Sequence, residues 1–147
     1  MKLNSDKVTE CLLDKPYWVI DFLPMQVPMD SRGQFFAVER YHLTAERHAR
    51  LCRQFADVML GLNCYHDLTV NNSDGDWVKN PEPTTLVTWL NEALLNGNLS
   101  VLIDDDKALI TASGGDTNLT VYNPPEGLLH LLRLLSAAAG LHLWRPQ

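Results

Sequence analysis

Leu99-Ser100-Val101-Leu102-Ile103-Asp104-Asp105-Asp106-Lys107-Ala108-Leu109-Ile110-Thr111-Ala112-Ser113-Gly114-Gly115-Asp116-Thr117-Asn118-Leu119-Thr120-Val121-Tyr122 is the stretch on which the fold turns. Three short runs, 99–103, 108–112 and 118–122, are rich in the β-branched, aliphatic and aromatic residues that suit a pleated surface. Between them stand turn-forming segments, 104–107 and 113–116, made of Asp, Gly and Ser with a lysine. Such spacing leaves room only for hairpins, so the region predicts an antiparallel meander.

Working outward, Asn123 is placed to cap a helix that Pro124, Pro125 and Glu126 open and Gly140 ends, before a last strand at 141–144 that stops at Pro146. Leu128, Leu129, Leu131, Leu132, Leu134 and Leu135 cover too wide an arc for a surface helix. That helix is central to the core or buried against another chain. Upstream, 84–95 predicts a helix with Leu86, Val87, Leu90, Ala93 and Leu94 as its stripe and Asn96-Gly97 as its stop. The polar stretch 71–83 reads as a loop, and 64–70 alternates with period two as a half-buried strand.

A long helix runs from a Thr44 cap to about Gly61, with Leu51, Phe55, Val58, Met59 and Leu62 on one side. A right-handed crossover from it to a parallel neighbour is available. Residues 35–43 and 17–23 read as strands, the latter apolar on both faces between Pro16 and Pro24, and a short helical lead-in around Val8, Leu12 and Leu13 precedes them. Tyr41 leading through a helix to Gly61 and Tyr65 echoes Tyr122 leading through a helix to Gly140 and Trp144. The expectation is one α+β domain over 1–147: a mixed, largely antiparallel sheet of about six or seven strands, three main helices on one face, and two strand–helix–strand pseudo-repeats.

Composition narrows the function classes. The chain has 147 residues, 46% hydrophobic and 20% charged, which is enough apolar content for a core. With 12 Lys+Arg against 18 Asp+Glu its formal charge is −6, a field that disfavours nucleic acid and anionic membranes. Cys11, Cys52 and Cys64 form no C-x-x-C pair. With no apolar region behind the N-terminal lysines and no membrane-span window, a cytoplasmic setting is expected.

No motif assembles a catalytic set or a cofactor site. His48, Cys52, Cys64 and His66 are zinc-compatible ligands, but their spacing does not match compact zinc modules, and buried thiols are the expectation. The 72–76 stretch lacks a calcium loop's ligands, since Val70 and Pro81 fall where carboxylates are required. Asp104-Asp105-Asp106 reads as a solvated hairpin tip, and Ser113-Gly114-Gly115 as a hairpin without the helix N-terminus a phosphate cradle needs. Arg47, Arg50 and Arg53 suit an acidic ligand, yet a solvated face with Glu46–Arg50 and Arg53–Asp57 pairs accounts for them.

Strand parity supplies the remaining candidate. One parity is greasy; the other carries Glu39, Tyr41, Tyr65, Asp67, Tyr122, His142 and Trp144 among threonines. Rings with polar tips tolerate water and still bury large area, so these residues are the candidate surface for a protein partner or a second copy. Shielding by the N-terminal segment or the 71–83 loop is the competing account. The function expected is a small, acidic, non-catalytic interaction protein of the adaptor, immunity or inhibitor kind. The alternative is a ligand-binding module or enzyme with a pocket near His66 and His142, using Asp67 and Glu39 as further acid–base groups.

Overall fold

The computed structural model describes residues 2–28, 30, 32–72, 75–114 and 117–146, with residues 2–4, 32 and 45 by backbone alone. In chain order the elements are α1 (Lys2–Leu12), β1 (Tyr17–Asp21), α2 (Arg32–His42), α3 (Ala45–Asn63), β2 (Leu68–Asn71), β3 (Trp77–Lys79), α4 (Pro83–Asn96), β4 (Asn98–Ile103), β5 (Ala108–Ser113), β6 (Asn118–Tyr122), α5 (Glu126–Ala138) and β7 (His142–Trp144). The fold is α+β, with a seven-stranded sheet in the order β3-β2-β4-β5-β6-β1-β7. Every neighbouring pair is antiparallel, so the parallel crossover after α3 does not occur.

The meander forms as its turn chemistry demands. Leu102 faces Leu109, Thr111 faces Thr120, and the first hairpin closes through Asp104 and Asp105 at φ 50° and 71°. Aspartate tolerates that left-handed conformation because its short side chain bonds locally. Residues 115 and 116 of the second turn, and 73 and 74 of the 71–83 stretch, lie outside the described residues.

Two apolar layers sandwich the sheet. On one face α3, α4 and α5 bury Phe55, Met59, Leu62, Leu86, Leu90, Leu94 and Leu132 against Ile20, Val70, Val101, Ile110, Leu119 and Val121. A Cβ on Gly61 would sit 2.7 Å from Leu135 Cδ2, so the bare backbone there lets α3 meet α5 closely; Gly61 lies inside α3 and does not end it. On the other face α1 lays Leu12 and Val8 over Leu102 and Leu109, flanked by Trp77 and Tyr122. The Trp77 Nε1–H donates to Asp6 Oδ1 at 2.9 Å and ties α1 to β3.

Several sequence expectations are corrected. Residues 35–42 of the expected 35–43 strand are helical: Phe35, Glu39 and His42 are half-buried at helical spacing, while Phe36, Val38 and Tyr41 are exposed. Tyr41 therefore leads into α3 from another helix, and the first half of the proposed pseudo-repeat is helix–helix–strand. The period-two run at 64–70 is a strand only from Leu68, because Cys64, Tyr65 and His66 donate their amides to Gly61 and Leu62 and continue the helix end. The 71–83 stretch contains β3, with Val78 facing Val70. Asn123 does not cap α5: it takes φ 58°, its Nδ2–H donates to Lys107 O at 3.1 Å, and Pro125 occupies the cap position. Among the described residues no helix is long and apolar enough to cross a membrane.

Candidate functional site

The register aligns one row across all seven strands on the α1 face: Trp77, Asn71, Ser100, Thr111, Thr120, Val19 and Trp144. Short hydroxyls thus floor the middle, and an indole stands at each end. A second row runs Thr69, Leu102, Leu109, Tyr122 and Tyr17, and α1 covers its centre. Beyond that cover the Tyr17 ring stands 5.6 Å from the Tyr122 ring and remains 42% exposed.

A third row carries the polar chemistry, with Asp21 facing Asn118 on β6 and His142 on β7. Asp21 is buried, and loss of solvent lifts its pKa from 3.8 to about 6 against the pull of backbone amides from Leu23 and Phe22. The Phe22 N–H donates to Asp21 Oδ1 at 2.7 Å. Glu39 of α2 adds a smaller upward push, and its Oε2 accepts a 3.3 Å hydrogen bond from the buried Thr117 hydroxyl. The Trp144 indole N–H lies within electrostatic reach of Asp21 but makes no hydrogen bond of good geometry. Thr69 Oγ1 and Asn71 Oδ1, on the same sheet face, are likewise buried without a partner among the described residues.

Of the surface residues named from the sequence, Tyr122, His142 and Trp144 lie on this face, and Glu39 reaches its Asp21 end from α2. Tyr41 projects from α2 beneath the Arg47 guanidinium, 5.0 Å from the ring centroid. Tyr65 is 70% exposed on the turn after α3, away from the pleat that was to align it. Asp67 precedes β2 in a separate network, accepting from Asn80 Nδ2 at 3.0 Å and lying 3.6 Å from Lys79 Nζ. Those partners hold its carboxyl below the usual carboxylate range, Asn80 most of all.

That network also orients His66, whose Nδ1 lies 2.7 Å from Asp104 Oδ2, while Asp104 Oδ1 accepts the Asp67 amide at 3.2 Å. Both carboxylate oxygens thus tie the α3–β2 link to the β4–β5 hairpin. The Cys64 thiol donates to Leu60 O at 3.5 Å, so it is not aimed at this imidazole. His66 adjoins β2 and His142 sits on β7, five strand steps away, or roughly 24 Å. They do not share a pocket. His48 and Cys52 contact each other, with Sγ 3.5 Å from Nδ1, and burial pushes the Cys52 thiol pKa up. Among the described residues no group of three or more His, Cys, Asp or Glu is placed to hold a metal ion.

Asp21 escaped the sequence reading. Its only signal was a carboxylate inside an otherwise apolar strand, where a charge persists only with compensation. In comparisons with known proteins the chain matches no family model, no curated protein and no solved structure.

Proposed function

We propose that the chain is a non-catalytic binding protein that engages a protein partner, or a second copy of itself, through the β6–β1–β7 end of the α1 face. This is the role of a small adaptor or of an immunity or inhibitor protein. One observation carries the reading: exposed Tyr17, against the Tyr122 ring at the rim of the α1 cover, lies with exposed His142 and the half-buried Trp144 indole on one face of the paired strands β6, β1 and β7. Side chains held on paired strands lose little freedom on binding, and an aromatic with a polar tip gains both area and a hydrogen bond.

The short edges agree with docking through the face. Both β3 and β7 are three residues long, and Pro146 follows β7, so neither edge offers much backbone to a strand from another chain. The test is light scattering over a concentration series, combined with pull-down by wild type and Tyr17→Ser. Self-association or a captured protein that the variant loses supports the proposal. A strictly monomeric chain that recovers nothing removes it.

A further inference from the structure

At the junction of β1, α2 and α3 lies a cavity of about 200 Å³ lined by Phe22, His42, Arg47, Arg50, Leu51 and Gln54. Arg47 and Arg50 lie three positions apart, which sets both on one side of α3. The Glu46–Arg50 and Arg53–Asp57 pairs that would have neutralised this face do not form among the described residues. Arg47 stacks on Tyr41, which orients its guanidinium without cancelling its charge. In a chain of formal charge −6, two arginines therefore line a cavity that has no carboxylate among its lining residues.

The imidazole of His42 reports the resulting field. Its pKa falls because of burial, and then because Arg47 and Arg50 repel its proton. Glu39 acts on Asp21, and neither of these carboxyls figures among the groups that shift His42. The lining also has an apolar part: the Phe22 ring lies 4.5 Å from the His42 ring, and Leu51 is buried. The Gln54 amide is fixed by donating to Ala139 O at 3.0 Å.

We propose that this cavity binds the phosphoryl group of a small phosphomonoester. Arg47 and Arg50 pair with the dianion, His42 hydrogen-bonds to it, and Phe22 and Leu51 pack on the organic part. Charge selects the class, since two guanidinium forks match a doubly charged tetrahedral anion better than a singly charged planar carboxylate. The apolar wall selects an ester over the bare ion. This site is separate from the β6–β1–β7 surface, and either can fail without the other.

The experiment follows the His42 ring signals by NMR at constant ionic strength, titrating phenyl phosphate, inorganic phosphate and phenol in turn. Phenyl phosphate is expected to give a saturable shift, tighter than inorganic phosphate, and to raise the His42 pKa, with phenol giving none. Arg50→Gln should weaken phenyl phosphate by about tenfold or more, whereas Arg133→Gln on α5 should not. Should Arg50→Gln not fold, Arg47→Lys takes its place, keeping the charge, losing the fork and binding more weakly. An unsaturable shift, equal binding of inorganic phosphate or phenol, or equal weakening by Arg133→Gln overturns the proposal.

Discussion

The carboxylate of Glu39 on α2 lies within electrostatic reach of the buried carboxyl of Asp21 on β1, and it adds to the larger effect of burial in lifting the Asp21 pKa from 3.8 to about 6. A folded-state pKa above the unfolded value means that folding favours the protonated acid. The associated stability is complete below the unfolded pKa and is lost as pH rises through about 6. Above that, the ionised carboxyl costs on the order of 3 kcal/mol. Asp21→Asn keeps an acceptor oxygen for the Phe22 amide and removes the charge. It is expected to exceed wild type in stability by about 1–3 kcal/mol at pH 8, the gap closing between pH 6 and 4. Urea denaturation across pH checks this; equal stability at pH 8 contradicts it.

Ser136 on α5 has 0% exposure, and its hydroxyl finds no hydrogen-bond partner among the described residues. Desolvating an unpaired hydroxyl costs about 1–3 kcal/mol, and alanine favours a helix. Ser136→Ala should therefore raise stability by about 1 kcal/mol, read as a higher denaturant midpoint at unchanged m-value. A lower midpoint would mean that the hydroxyl is satisfied in solution.

What was legible in the sequence is what local chemistry decides. The β4–β5–β6 meander declared itself because turn residues break the chain every few positions and hairpins leave no other pairing. The stripe Leu51, Phe55, Val58, Met59, Leu62 declared α3 because only a helix brings those positions together. In α2 the signals conflicted: Phe35, Phe36, Val38 and Tyr41 favour strands by composition, and the helical spacing of Phe35, Glu39 and His42 is set by a weak stripe containing a charge. The three residues of β3 are too few to show a period, and the placing of β1 between β6 and β7 depends on pairings distant in the chain. On the candidate surface, Tyr122, His142 and Trp144 followed from parity, whereas Tyr41 and Tyr65 inherited it from strands that are helix and turn.

Gly114 holds the β5 hairpin against the end of α4. Its amide donates to Gly97 O at 2.7 Å, and a Cβ there would stand 2.7 Å from Asn96 Cα. The clash is with backbone, which cannot rotate away. Gly114→Ala should destabilise by about 2 kcal/mol or more. Gly127→Ala, in the first turn of α5 with nothing within 4 Å of its Cβ position, should instead gain about 0.5–1 kcal/mol. The opposite signs make the pair its own control, and a destabilising Gly127→Ala would show that α5 begins differently.

Among the described residues, α1 covers the sheet through Leu12 and Val8 over Leu102 and Leu109, with Trp77 and Tyr122 packed beside them, and through the Asp6–Trp77 hydrogen bond. Leu12 is 4% exposed, so Leu12→Ala removes a buried side chain at about 2–3 kcal/mol. Since those partners lie on the opposite face from α3, α4 and α5, the loss should stay local. Hydrogen exchange is expected to accelerate through α1 and at the Trp77 strand while α3 and α5 keep their protection. Undocking also bares Leu102 and Leu109 beside the Tyr122 ring, enlarging the apolar part of the proposed partner surface, so binding of a hydrophobic dye should rise. If exchange instead accelerates uniformly, α1 folds as one unit with the main core, and the local-loss reading fails.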